Sequence, residues 1–184
     1  MRFFVAAALL VLISCAEVSE KEKTLRVRNT LRQRYLSGDT LPFPGQKLLA
    51  CLPAALPGWT ALREDKSLFT AAHPDFSSAA RTFVRNGNQV LILQVADYAA
   101  DSAAYAHLFS QLSTAGATDI SLPDSLQPET LTFRKDTQSS LSELNLLMKG
   151  RFHLSVQSNT PENAAELGRA LQQVRWAELE TLQP

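Results

Sequence analysis

The chain is poor in cysteine, balanced in charge, and has no uninterrupted apolar stretch of membrane-spanning length. Its longest uncharged apolar run near the N-terminus, Phe3 to Ile13, has eleven residues, whereas crossing a bilayer takes about twenty. Eighteen Lys and Arg against eighteen Asp and Glu give no global attraction to a polyanion, so no nucleic-acid partner is expected. Two cysteines, Cys15 and Cys51, rule out a dense disulfide framework and any zinc site built on closely spaced cysteine pairs. The three histidines, His73, His107 and His153, are scattered, so no local metal-ligand spacing occurs. A Gly-x-Ser-x-Gly elbow, a Gly-x-x-x-x-Gly-Lys phosphate loop and a His-Glu-x-x-His pair are all missing. These absences leave no catalytic residue, metal or cofactor to assign, and a non-enzymatic role is the expectation. What remains is ordinary for one folded domain: 45% hydrophobic and 20% charged residues over 184 positions.

The positive content starts at the N-terminus. Arg2 precedes the eleven-residue apolar run, whose length suits the core of a signal peptide, about 7–15 residues. The run ends at Leu12-Ile13-Ser14-Cys15, which resembles the lipobox of bacterial lipoproteins: an aliphatic residue, a tolerant position, a small residue, then cysteine. The resemblance covers about fifteen residues. It implies a leader over residues 1–14, cleavage before Cys15, and a diacylglycerol joined to the Cys15 sulfur through a thioether. Each buried methylene contributes about 0.8 kcal/mol, so several acyl chains anchor the protein stably. Ala16 follows the cysteine; in proteobacterial lipoproteins an aspartate there favours inner-membrane retention. The resemblance thus implies a cell-envelope location, with the outer membrane facing the periplasm favoured over the inner membrane. Lipidation of Cys15 leaves Cys51 alone within the apolar stretch Leu48 to Leu52, where it reads as a small buried hydrophobe.

Residues 15–45 read as a basic tether and linker, ahead of a single domain over residues 46–184. Between positions 21 and 34 stand Lys21, Lys23, Arg26, Arg28, Arg32 and Arg34 against Glu22. Val27, Leu31 and Tyr35 recur every four residues, predicting a short amphipathic helix stopped at Gly38. Beside a lipid anchor, such an arm either spaces the domain from the membrane or lies on anionic headgroups, each cation contributing about 1 kcal/mol there. Gly38 to Gly45, with Pro42 and Pro44, reads as the linker.

Within the domain, Leu48 to Trp59 suggests a short helix or extended segment followed by a turn at Pro57-Gly58, with Trp59 opening a strand. Asn86-Gly87 between β-rich runs predicts a type I′ hairpin turn. Its strands span about 78–85 and 89–96, the second apolar on both faces and therefore central. Asp101 reads as N-cap of a helix to about Ser113, with Tyr105, Leu108, Phe109 and Leu112 on one side and Gly116 as its stop. Thr130 to Lys135 reads as a strand, and Leu141 to Met148 with Arg151 to Gln157 as a hairpin around Lys149-Gly150. In its second arm Phe152, Leu154 and Val156 should be buried and the alternate residues wet. Thr160 with Pro161 reads as the start of a last helix, in which Gly168 permits close packing against the sheet. The fold class expected is α+β, an antiparallel sheet of about five to six strands with helices packed on one face.

Four side chains stand as candidate ligand or partner contacts. Trp59 offers an aromatic platform. Arg81 and Arg85 share a strand face. Asp97 ends the central strand. The segments Leu52 to Trp59, Ala80 to Phe83 and Val90 to Asp97 also resemble small exported proteins of unassigned function, which implies a periplasmic α+β domain and no activity. The function expected is that of an envelope lipoprotein that binds a protein partner or supports an envelope assembly. The alternative is a lipoprotein that binds a small apolar or anionic ligand.

Overall fold

A computed structural model describes residues 21–68, 76–114, 120–123, 128–136 and 138–182, with the side chains of 63–68 excepted. Cys15, His73 and Gly116 lie outside the described residues. Six strands form one antiparallel sheet: β1 (Thr60–Leu68), β2 (Ser77–Arg85), β3 (Gln89–Asp97), β4 (Thr130–Asp136), β5 (Leu141–Met148) and β6 (Phe152–Ser158), in spatial order β1-β2-β3-β6-β5-β4. The α+β class and the antiparallel sheet agree with the sequence expectation. β3 is central, flanked by β2 and β6, because its Leu91, Leu93 and Val95 on one side and Ala96 on the other are all buried. Both tight hairpins turn through left-handed pairs, Asn86 (φ 53) with Gly87 (φ 79) and Lys149 (φ 58) with Gly150 (φ 57), the geometry of type I′ turns that matches strand twist.

Helices occur on both faces. One face, carrying Phe83, Leu91, Leu93, Val95, Leu144, Leu146, Leu154 and Val156, packs on α2 (Gly45–Cys51), α4 (Ala164–Gln172) and α5 (Trp176–Thr181) in the main core. A second cluster joins Leu147, whose side chain alternates with those of Leu146 and Met148, to Tyr105, Phe109 and Leu112 of α3 (Ser102–Ser113) and to Val27. The alternate residues of β6 are therefore not uniformly wet as the period of two suggested. Ser155 is buried and His153 half-buried, with a His153 ring nitrogen 2.7 Å from Asn145 Oδ1.

The segment expected as a tether is built into the fold. Helical turns run over residues 21–36 (α1) and end at Gly38, φ 75. Val27 is only 4% exposed, and the Arg34 guanidinium donates to the carbonyls of Gly150, Asp39 and Ala99 and to Asp39 Oδ2 at 2.8 Å. The folded unit thus takes in residues from 21 onward, not only from 46. The expected linker is equally engaged: Phe43 is buried, its ring stacks on Phe152 at 6.2 Å, and its N–H donates to Asp97. Sequence periodicity located the α1 helix; the long-range partners of Arg34 lie more than sixty residues away and leave no local trace.

The helix expected from Thr160, α4, is followed by α5 and also begins later than expected. Asn163, not Thr160, is its N-cap: Asn163 Oδ1 accepts from Glu166 N–H at 2.9 Å and Glu166 Oε2 accepts from Asn163 N–H at 3.1 Å, a reciprocal capping box. Thr160 is held instead by Ser158 and Glu162. At Gly168 an added Cβ would sit 2.6 Å from Ile120 Cγ2, so the close approach there is to a loop, not to the sheet.

Candidate functional site

The four candidate residues separate into three places. Asp97 is fully buried and accepts from Arg151 Nε and Nη2, both at 2.7 Å, and from the N–H groups of Phe43 and Ala99. Arg151 also bonds Asp39 and the Leu41 carbonyl, and its guanidinium lies 3.8 Å from the Phe43 ring centroid. A carboxylate with its acceptor positions taken up by a bidentate arginine and two backbone donors has a structural task. The expected ligand contact at Asp97 is therefore replaced by an ion-pair chain, Asp97 to Arg151 to Asp39 to Arg34, that fastens α1 and residues 39–43 to the sheet. Arg81 is 8% exposed and donates from Nη1 to the Leu52 carbonyl at 3.3 Å, tying β2 to the end of α2.

Trp59 and Arg85 do converge, at the far end of the sheet. The Leu56–Trp59 bridge and the turn at Gly58 (φ 77) present the indole. Arg85, last residue of β2, lays its guanidinium 4.3 Å from the indole centroid, a cation–π distance. The same guanidinium donates to Gln89 Oε1 at 2.7 Å and to Glu162 Oε1 at 2.8 Å. Arg81 stands two strand repeats back on the same face, where it meets the Leu52 carbonyl.

Beneath them a cleft of about 240 Å³ opens between the Leu56–Trp59 segment and α4. Leu91, Leu167 and Ala170 supply its apolar side, and Glu162, Glu166 and Arg169 its charged rim. Interaction with the Glu166 carboxyl, reinforced by burial, raises the Glu162 pKa, and the same interaction lowers that of Glu166, which Asn163 N–H also stabilises as an anion. The pair therefore holds a proton on Glu162 more tightly than an ordinary carboxylate would. Among the described residues, the lining carries two carboxyl and two guanidinium groups and no histidine, cysteine or serine.

Glu162, Glu166 and Arg169 were not singled out in the sequence. One signal was available for Glu166: Asn163 followed three residues later by a glutamate is a capping-box pattern, and it places Glu162 and Glu166 at the mouth of the helix. That this helix end would meet Arg85, seventy-seven residues away, depends on strand order and has no local signature.

A second buried polar group lies at the opposite end of the sheet. Tyr105 donates to Glu129 Oε2, and Glu129 Oε1 accepts from Gly150 N–H at 2.9 Å. Burial raises the pKa of both side chains, and the Glu129 charge adds to the rise at Tyr105. Cys51 is enclosed on α2, its thiol donating to the Lys47 carbonyl at 3.4 Å, with burial pushing its pKa up to about 11. It is an inert thiol at neutral pH. Among the described residues no cluster of metal-ligating side chains occurs and no helix is long and apolar enough to cross a membrane. Comparison of the chain with protein-family models, with curated proteins and with solved structures finds no match.

Proposed function

We infer that this chain is a bacterial envelope lipoprotein, cut before Cys15, held to the outer membrane by lipid on that cysteine, and acting without catalysis by binding a protein partner through the Trp59–Arg85 cleft. The address rests on Arg2, the apolar run and Leu12-Ile13-Ser14-Cys15. The binding reading rests on one observation: a half-buried Trp stacked by an Arg beside a small apolar depression with a charged rim. Tryptophan and arginine are the residues enriched where a few side chains carry most of an interface's energy, surrounded by a rim that excludes water.

The size of this cleft supports the partner reading over the small-ligand alternative. Pockets that enclose a small molecule run to about 300–1,000 Å³, and this cleft holds about 240 Å³. It suits one inserted side chain of a partner better than an enclosed ligand. Arg85 is already paired with Glu162 at 2.8 Å, which also weakens the case for a free anion.

The test is purification of the full chain from detergent-solubilised membranes. The wild type should carry a stoichiometric envelope protein, and Trp59→Ala combined with Arg85→Glu should release it while leaving the thermal melt cooperative. A clean monomer in several mild detergents, for wild type and variant alike, would refute partner binding.

A further inference from the structure

We propose that the outward side of α1 lies on an anionic lipid surface and fixes the orientation of the domain, so that the Trp59–Arg85 cleft points away from the membrane. This deepens the lipoprotein reading and rests on it for the position of the anchor.

Three observations converge. The first is where exposed apolar side chains occur. Leu25, Tyr35, Leu36 and Leu41 make up four of the six large hydrophobic residues that stand exposed among the described residues, at 57%, 76%, 66% and 72%. Val27 faces the core. At 100° per residue Leu25 and Leu36 fall on nearly the same line, opposite Val27, about three turns apart.

The second is charge. Lys21, Lys23, Arg26, Arg28 and Arg32 are all exposed on the same helix, with Glu22 as the acidic exception. Arg32 lies between Leu25 and Leu36 along the outward stripe with Arg28 beside it, while Arg26 borders the groove toward Val27 and Glu129. Arg34, by contrast, is turned inward and neutralised by Asp39. Apolar residues on a stripe flanked by arginine and lysine are the pattern of a helix lying in a membrane interface with anionic lipid. A tyrosine at its end suits the headgroup level.

The third is position. Six residue steps separate Cys15 from Lys21, a reach of at most about 20 Å. An anchored Cys15 therefore brings a docked α1 to the bilayer surface. The packing of α1 is against α3, Glu129 and the β5–β6 turn at Gly150, the end of the sheet where β3 finishes at Asp97. The cleft is at the end where β3 begins, next to Gln89 and Leu91. Along β3 the two ends are about 27 Å apart.

The test uses the full acylated chain with Asn29→Cys labelled by a nitroxide; Cys51, buried and protonated, does not compete for the label. The protein is reconstituted into vesicles of phosphatidylcholine alone and of phosphatidylcholine mixed with phosphatidylglycerol. On the mixed vesicles the label's accessibility to an aqueous nickel complex should fall severalfold, and recover at high salt. Arg28→Glu with Arg32→Glu should abolish the fall. Arg28→Gln with Arg32→Gln should weaken it, which guards against misfolding of the reversed pair. Equal exposure on both vesicles would overturn the proposal, as would shielding that persists in detergent without lipid, the sign of a second protein copy on α1. The mass of the N-terminal peptide separates the two readings. A free Cys15 thiol would defeat the anchor, while the nitroxide response to added anionic vesicles would still decide the role of α1.

Discussion

At the scale of single residues, the most consequential side chains are buried charges whose partners come from distant parts of the chain. Asp97 is fully buried and Arg151 nearly so, at 0% and 5% side-chain exposure. Removing one partner of such a pair leaves an uncompensated charge in a low dielectric. Asp97→Asn should lower the unfolding free energy by about 3–5 kcal/mol in a denaturant titration. His153 makes a prediction of a different kind. Burial lowers its pKa from 6.5 to about 4, so the folded state disfavours the imidazolium. The stability this group supports is present above pH 6.5 and lost as pH falls toward 4, by up to about 3 kcal/mol. Stability measured across that window should decline for the wild type and decline less for His153→Gln. Sequence gave no warning of either environment. Asp97 read as a candidate contact at the end of the central strand because its partner is fifty-four residues away, and His153 read as a wet-face residue because strand alternation does not reveal that α3 covers that face.

At the scale of elements, local grammar was legible and docking was not. Asn86-Gly87 and Gly150 placed both hairpins, since φ values of 53–79° suit glycine and asparagine; Lys149 adopts φ 58 beside Gly150. The N-cap at Asp101 held, with Oδ1 accepting from Ala104 N–H at 2.8 Å. α1 was legible as a helix from its period of four but not as part of the folded unit, because Arg34 finds Gly150 and Ala99 only once β6 and α3 are in place. If that docking is energetic, Val27→Asp should free α1 and expose its lysines and arginines. Limited trypsin digestion should then clip residues 21–34 many times faster than in the wild type while the remainder resists cleavage. Gly168 offers an element-scale test of packing. An alanine there meets Ile120 Cγ2 at 2.6 Å, an overpacking penalty of about 1–3 kcal/mol, against a helix-propensity gain of about 0.5–1 kcal/mol. Gly168→Ala should therefore lose about 1 kcal/mol net, and the loss should shrink when Ile120→Ala is introduced beside it.

At the scale of the whole molecule, the strand order carries the account. Placing β3 beside β6 brings the end of β2 against the start of α4, which assembles Arg85, Trp59 and Glu162 from three separated segments. The same order puts the Asp97–Arg151 ion pair and α1 at the opposite end. Two of the four candidate residues, Trp59 and Arg85, belong to the cleft; the class and the antiparallel sheet were readable from hairpin signals and alternation, whereas the meeting of Glu162 with Arg85 was not, since it is a product of topology. The proposed division of the molecule into an anchored end and a binding end depends on Cys15. The most direct measurement is the mass of the N-terminal peptide of the protein purified from bacterial membranes. The account predicts a peptide that begins at Cys15 and carries a diacylglycerol on its sulfur, abolished in Cys15→Ser; a peptide that retains residues before Cys15, or begins elsewhere with an unmodified thiol, would contradict it.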